Sequence, residues 1–165
     1  FMINFLKIIL ISFLCSCGVY SFSGASISPG VKTVSVKNFL NNSISIQPKL
    51  NTLITEELKE KLLSETNLEM LSSNGDLQFE GEIIGYSTKP IAIQANETAA
   101  QNRLTITVNV KFVNLIDESN NFSKSFSHFV DFDSSLNLSD IEEELNNQII
   151  DVLCENIFNN ALANW

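Results

Sequence analysis

Apolar side chains occupy every second position between residues 104 and 112. The alternating set is Leu104, Ile106, Val108, Val110 and Phe112, with Thr105, Thr107, Asn109 and Lys111 between them. Because successive side chains of a β-strand point to opposite faces of a sheet, this pattern predicts a strand with one face against a core and one toward water. The chain must therefore build a sheet that is covered on one side.

Three other segments also have strand patterns. Val31–Leu40 is rich in β-branched residues and predicts a first strand. Residues 77–86 alternate, but their apolar phase shifts by one position, which indicates a bulge or strong twist near residues 83–85. Residues 122–132 place four apolar side chains on one parity and predict a further strand: Phe122, Phe126, Val130 and Phe132.

Two segments have helical spacing. Pro48 can open the first helix, which is predicted to end near Thr66–Asn67 and has an apolar stripe formed by Leu50, Leu53, Ile54, Leu58 and Leu62. The second helix is predicted to start at a capping box formed by Ser139 and Glu142. Its apolar positions continue to about Ala163.

The order of these elements predicts the fold class. Short links between the last three strands favour antiparallel pairing, with both helices on the same side. We expect an α+β two-layer sandwich in which two helices pack on one face of a four-stranded, mainly antiparallel sheet. With 165 residues, of which 44% are hydrophobic, the chain fits one domain, expected over residues 31–165.

The N-terminal segment predicts export and lipidation. Lys7 precedes a short apolar run over residues 8–14, and Leu14–Cys17 resembles a bacterial lipobox. We expect residues 1–16 to be a signal peptide and Cys17 to carry a diacylglycerol and an N-acyl chain. Residues 17–30 would then be a lipidated tether. An ordinary signal peptide with two incidental cysteines is the alternative.

The residues that follow Cys17 indicate a location. No Asp stands at the second position of the expected mature chain, and no acidic run follows it. This pattern resembles lipoproteins that are sorted to the outer membrane. We therefore expect a lipid-anchored protein on the periplasmic leaflet of that membrane.

Charge and cysteine content exclude several functions. The formal net charge of −9 argues against nucleic acid as a partner, because such binding requires a cationic face. Cys154 has no partner for an intrachain disulfide once Cys15 is removed with the signal peptide and Cys17 is acylated. Its position in an apolar helical pattern predicts a buried, inert thiol.

Few residues could support catalysis. His128 is the one histidine, and Asp131 and Asp133 share one face of a strand, a spacing that a hydrolytic pair or a Ca²⁺ site could use. A packed strand histidine and a carboxylate-rich turn explain the same residues. Because no nucleophile motif or glycine-rich phosphate loop is present, the sequence favours a non-enzymatic protein without a cofactor or metal.

A long loop of small residues is the clearest candidate for a contact surface. It is expected between Lys89 and Arg103 and contains Asn96–Ala100. Loops of more than about 12 residues in a compact domain are usually functional or mobile. A protruding contact loop and a mobile hairpin tip both fit this segment.

Six segments of the expected mature chain carry a family resemblance: Cys17–Gly24, Gly75–Gly81, Asn96–Ala100, Asn102–Val108, Asp131–Ser135 and Ala163–Trp165. Together and in this order, they resemble the LptE family of outer-membrane lipopolysaccharide-assembly lipoproteins, in its shorter form. The fold of that family, two helices on a four-stranded sheet, is similar to the order of elements described above.

The resemblance implies a non-enzymatic role. The protein would sit in the lumen of an LptD-type β-barrel, help the barrel assemble and partly plug it while lipopolysaccharide is inserted into the outer leaflet. The long loop, and not the resemblance, gives the expected partner contacts at Asn96, Glu97, Thr98 and Arg103. Lipopolysaccharide is a further candidate partner, although the negative charge of the chain argues against direct capture of a polyanionic glycolipid.

Polar residues that alternate with the buried ones would suit a hydrated lumen, although a solvated sheet face explains them as well: Thr105, Thr107, Asn109, Ser123, Ser125 and Ser127. The alternative function is a periplasmic lipid-binding or carrier lipoprotein with an apolar cavity between the helices and the sheet. A lipid-anchored hydrolase that uses Asp131, Asp133 or His128 is the third hypothesis.

Overall fold

The computed structural model describes residues 27–43, 47, 49–91 and 100–163. The expected signal peptide, Cys17 and most of the tether lie outside the described residues. So do Pro48 and the expected contact residues Asn96, Glu97 and Thr98.

The described chain contains six strands, two α-helices and one short 3₁₀ turn. In chain order they are β1 (Thr33–Val36), β2 (Leu40–Asn41), α1 (Leu50–Glu65), β3 (Glu69–Leu71), β4 (Leu77–Ile91), β5 (Gln101–Asn114), the 3₁₀ turn (Glu118–Asn120), β6 (Phe122–Asp133) and α2 (Leu138–Leu162). The α+β class is therefore confirmed, with both expected helices present.

The three long strands form an antiparallel unit, as the sequence predicts. β5 lies between β4 and β6, with Phe112 opposite both Phe79 and Phe122. The five alternating apolar side chains of β5 are each at most 1% exposed. Aromatic rings extend this contact across the sheet, since the Phe79 and Phe112 ring centroids are 4.8 Å apart.

The expected irregularity in β4 is confirmed. The register with β5 shifts between Ile83 and Gly85, so Ile84 is an extra residue on its strand. Ile83 and Tyr86 are both buried, whereas Ile84 is 43% exposed. The bulge thus places both Ile83 and Tyr86 on the face of the sheet that the helices cover.

The expectation of a four-stranded, mainly antiparallel sheet is confirmed only in part, because short parallel strands extend the antiparallel unit. The sheet has six strands in the order β3-β1-β4-β5-β6, and β2 pairs with β4 beyond the end of β1. β1 runs parallel to both β3 and β4, and β2 runs parallel to β4. The two extra strands are only two and three residues long, too short for a periodic signal.

The first strand is also interrupted, because Phe39 must reach the core. A Cβ on Gly81 would lie 2.2 Å from the Phe39 ring, so the ring occupies the space that a side chain at Gly81 would take. Thr55 Oγ1 accepts a hydrogen bond from the Phe39 N–H at 3.0 Å, which holds this segment against α1. Residues 37–39 leave the strand geometry, and pairing resumes at Leu40.

Both helices cover the same face of the sheet. α1 packs on β1, β2 and β3, α2 packs on β5 and β6, and the helices contact each other. Cys154 on α2 is fully buried, as expected, and its thiol lies 3.8 Å from the Ile54 carbonyl oxygen of α1. Burial raises the pKa of this thiol, which keeps it protonated and unreactive.

The predicted capping box at Ser139 is wrong. α2 begins at Leu138, its N-cap is Asn137, and no side chain caps it. Leu138 packs against the core, so the helix gains apolar contact by starting two residues earlier than the box predicts. Glu142 therefore lies in the second turn, where it accepts a hydrogen bond from the Tyr86 hydroxyl at 2.6 Å.

Asp76 joins the parallel and antiparallel parts of the sheet. Its carboxylate accepts hydrogen bonds from the Lys32 N–H at 2.9 Å, the Thr33 N–H at 3.0 Å and the Thr33 hydroxyl at 2.9 Å. Its carbonyl oxygen accepts one from the Leu115 N–H at 2.9 Å. These donors, with the Lys32 N–H first, lower the pKa of the Asp76 carboxyl.

We expect Asp76→Asn to lower the free energy of unfolding at neutral pH. A lowered native pKa means that the carboxylate stabilises the fold above its ordinary pKa of about 3.9, and that this contribution is lost as the pH falls through the native value. Urea unfolding should show a difference in the free energy of unfolding between variant and wild type at about pH 7. That difference should be smaller at about pH 3. Asp151→Asn, exposed on α2, is the control, and an equal gap at both pH values would contradict the assignment.

Candidate partner-binding face

The helices leave the other face of the sheet uncovered by any described residue. We call this the open face. It is formed by the side chains of β4, β5 and β6 that alternate with the core residues: Gln78, Glu80, Glu82, Ser87, Lys89, Arg103, Thr105, Thr107, Asn109, Lys111, Ser123, Ser125, Ser127, Phe129, Asp131 and Asp133. The outward position expected for its threonine and serine residues is confirmed.

Cross-strand pairs organise the middle of the open face. Thr107 and Ser127 lie opposite each other, and their hydroxyl oxygens are 2.9 Å apart. Glu82 accepts a hydrogen bond from the Asn42 amide at 2.7 Å. These residues present hydroxyl and amide groups, which can exchange hydrogen bonds with a polar surface without burying an unpaired charge.

Charges on the open face are nearly balanced. It carries three basic and four acidic side chains along β4, β5 and β6. Glu80 forms an ion pair with Lys37, and the Lys37 ammonium lowers the pKa of the Glu80 carboxyl. The face therefore has little net charge of its own.

An aromatic and charged cluster stands at the upper end of the face, near the β4–β5 hairpin. Arg103 donates two hydrogen bonds to Asp131, Nε to Oδ1 at 2.7 Å and Nη2 to Oδ2 at 2.8 Å. The guanidinium carbon lies 3.6 Å from the centroid of the Phe129 ring. The Arg103 guanidinium lowers the pKa of the Asp131 carboxyl, so the pair stays charged well into the acidic range.

This cluster remains accessible. Phe129 is 43% exposed although Arg103 covers one side of its ring. A planar cation stacked on an exposed aromatic ring has the chemistry that interface hot spots favour. Arg103, expected as a contact residue, therefore lies where a partner can reach it.

The expected loop between Lys89 and Arg103 is shorter than the sequence suggests. β4 continues to Ile91 and β5 begins at Gln101, so Lys89 pairs directly with Arg103. The expectation that Pro90 would lie in a loop is wrong, because it sits near the end of the strand opposite Asn102. The role of Asn96, Glu97 and Thr98 stays a prediction, since they lie outside the described residues.

The three candidate hydrolytic residues do not form a site. Asp131 and Asp133 lie on the open face, whereas His128 has the parity of Phe126 and Val130 and faces the helix side. Asp131 is held by Arg103, and Asp133 accepts a hydrogen bond from the Ser135 N–H at 2.8 Å at the end of β6. The turn interpretation is confirmed for Asp133 and is wrong for Asp131, which lies within the strand.

Sequence reasoning missed two exposed apolar residues, Phe129 as part of the cluster and Leu40 beside the lower half of the face. Leu40 is 61% exposed and borders a shallow depression of about 270 Å³ with Glu80, Lys111 and Ser123. The sequence did contain a signal for Phe129, because its parity is opposite to that of Phe126 and Val130 and places it on the other face of the sheet. Leu40 had none, because the break in the first strand was not predicted.

Two features are absent from the described part of the chain. Within it, no helix combines the length and the apolar character needed to cross a bilayer. Over the same residues, no group of three or more histidine, cysteine or acidic side chains could hold a metal ion.

Solved structures share this fold. A minor lipoprotein from Acinetobacter baumannii is 14% identical over 78% of this chain and 90% of its own, with a TM-score of 0.50. Lipoprotein B from Nitrosomonas europaea is 8% identical over 82% and 83% of the two chains, with a TM-score of 0.55. A protein from Xanthomonas campestris is 10% identical over 81% and 87%, with a TM-score of 0.51. No curated protein matches this chain in sequence.

The fold and its open face thus define a small α+β sandwich of the kind found in bacterial lipoproteins. A model of the LptE family, described as lipopolysaccharide-assembly, matches residues 31–161. The chain belongs to this family of non-enzymatic outer-membrane lipoproteins, which act in the assembly of lipopolysaccharide. The expected family resemblance is confirmed.

We expect Phe126→Ala and Phe129→Ala to differ sharply in stability, although the two residues are close together on β6. Phe126 is 8% exposed and faces the helices, so its truncation should lower the free energy of unfolding by about 3 kcal/mol. Phe129 lies on the open face, and its truncation should cost less than about 1 kcal/mol. Urea unfolding of both variants checks this, and equal losses would mean that the open face is covered.

Proposed function

We propose that this lipoprotein is anchored by acyl chains on Cys17 and docks by its open face inside an LptD-type β-barrel. Residues 1–16 act as the signal peptide and residues 17–30 as the tether. The anchor lies in the periplasmic leaflet of the outer membrane. The docked protein helps the barrel assemble and partly plugs it while lipopolysaccharide is inserted into the outer leaflet.

A broad polar sheet face without a covering layer is the observation that carries this proposal. The lumen of a membrane barrel is polar and hydrated, so a protein that fills it needs hydroxyl and amide groups at the contact. On the open face, Thr107, Ser127 and Asn109 supply such groups from the neighbouring strands β5 and β6. Arg103 and Phe129 supply an anchor point among these polar groups. The expectation that the partner is a barrel comes from family membership.

The distribution of charge supports an orientation for the docked domain. α1 carries four acidic and two basic residues, and α2 carries six acidic and no basic ones, a net charge of −8 on the helices. The open face carries almost none. The helix layer repels the anionic groups of lipopolysaccharide, which favours its placement toward water and the placement of the open face on the protein partner.

The carrier alternative requires an apolar cavity between the helices and the sheet. In the described residues this space is filled by close-packed side chains such as Phe79, Ile106, Leu58 and Leu153, each 0% exposed. A groove of about 280 Å³ opens between the two helices, and its lining includes Lys49, Glu142, Glu143 and Asn146. Leu50 and Leu53 share this lining with charged and amide groups, so the groove is not the apolar cavity that a lipid carrier needs. The packed core therefore favours the barrel partner over the carrier role.

Affinity purification through the C-terminus in mild detergent tests the proposal. We expect one large outer-membrane barrel to copurify in equimolar amount. Phe129→Ser should reduce the captured barrel roughly tenfold or more, since truncation of a central aromatic anchor is typically that costly. Leu63→Ser, on α1 and 51% exposed in the wild type, is the matched control and should leave capture unchanged.

Two results would contradict the proposal. Capture of no barrel by the wild-type protein would leave the carrier role ahead. Equal loss of capture by Leu63→Ser and Phe129→Ser would move the contact to the helix layer or to a general loss of folded protein. Thermal unfolding of each variant separates those two explanations.

A further inference from the structure

The turn after β5 presents two adjacent aliphatic side chains to solvent. Leu115 is 54% exposed and Ile116 is 51% exposed. Asn114 ends β5 and β6 begins at Phe122, so this pair lies at one end of the sheet. Exposed aliphatic residues are common singly, but two neighbours at the tip of one turn form a small apolar patch.

Hydrogen bonds fix the backbone of this turn. Asn114 Oδ1 accepts from the Ile116 N–H at 2.9 Å and from the Asp117 N–H at 3.0 Å. Asn121 Oδ1 accepts from the Asn114 N–H at 2.6 Å, and the Leu115 N–H donates to the Asp76 carbonyl oxygen at 2.9 Å. Because the turn is tied to its own asparagines and to the sheet, the two side chains are held outward.

The N-terminal segment reaches the domain beside this turn. Residues 27–29 line a cavity of about 190 Å³ together with Asn114 and Asp117. A Cβ on Gly30 would lie 3.9 Å from Ile116 Cγ2. Ten residues of extended chain span at most about 35 Å, so an anchor on Cys17 keeps this end of the sheet within that distance of the bilayer.

We propose that, before the domain docks in its barrel partner, the Leu115–Ile116 turn rests in the interfacial region of the bilayer next to the lipid anchor. The proposal depends on the anchoring at Cys17 stated under the proposed function. Apolar side chains gain free energy at the boundary between headgroups and acyl chains. The tip thus forms a second membrane contact, which sets the tilt of the domain and directs Ile91 and Gln101, at the far end of the sheet, away from the leaflet.

Neighbouring charges limit which lipids suit the tip. Asp117 and Glu118 follow the aliphatic pair directly. The Asp117 carboxylate accepts hydrogen bonds from the Ser119 N–H at 3.1 Å and the Asn120 amide at 2.9 Å, so it is held within the 3₁₀ turn. Both carboxylates favour a surface dominated by zwitterionic headgroups over a strongly anionic one.

Depth-dependent fluorescence quenching tests the contact. The lipidated full-length protein, with Ile116→Cys carrying an environment-sensitive dye, is placed in phosphatidylethanolamine vesicles with a minority of phosphatidylglycerol and of a lipid that bears a quencher at the headgroup boundary. Leu136→Cys is the matched control, because Leu136 is 49% exposed and follows the far end of β6. Cys154 is fully buried in the folded protein, which protects it from the dye.

We expect quenching at position 116 to exceed that at position 136 several-fold. Leu115→Cys should behave like Ile116→Cys and provides a second variant if the first fails to fold. Equal quenching at the two ends, or none at either, would overturn the membrane contact.

A separate measurement distinguishes failure of the tip from failure of the anchor. Mass spectrometry of the mature N-terminus reports whether Cys17 carries acyl chains. If Cys17 is acylated and position 116 is not preferentially quenched, the tip proposal fails and the anchor stands. If Cys17 is not acylated, the quenching is repeated with a Cys17→Ser chain held by an N-terminal histidine tag on nickel-chelating lipid, and equal quenching there also overturns the tip.

Discussion

Burial of one face of β4, β5 and β6 is the constraint on which the rest of the structure depends. The alternating pattern of these strands leaves a side of Leu, Ile, Val and Phe that must leave water, and the described residues supply two helices that cover it. Both helices are used on that side, and the other side stays uncovered among the described residues. The candidate partner surface follows from this arrangement, because the sheet face that the helices do not cover is free for contact.

The parts of the fold that depend on long periodic patterns were predictable. The alternation in β5, the phase shift that becomes the bulge at Ile84, and both helices could be predicted from spacing alone. The parallel edge could not, because β2 and β3 consist of two and three residues and gain their place from pairing with β1 and β4. The break at Phe39 depends on a ring that fills the space above Gly81, and such a contact between distant residues leaves no periodic trace.

The candidate site was only partly visible in the sequence. The polar rows of the open face follow from strand parity, so Thr107 and Ser127 could be placed before the structure. The stacking of Arg103 on Phe129 depends on the register between β5 and β6, which parity does not fix. The acidic residues of α1 and α2 could be counted in the sequence. That they form one negatively charged layer could be concluded only once both helices were known to lie on the same side of the sheet.

The central claim is that the open face, and not the acidic helix layer, contacts the barrel partner. Site-specific photo-crosslinking in living cells tests it most directly, with a photoreactive residue in place of Ser125 on the open face or of Glu144 on α2. The account predicts a crosslink from position 125 to one large outer-membrane barrel and little or none from position 144. A crosslink to the barrel from position 144 alone would contradict it.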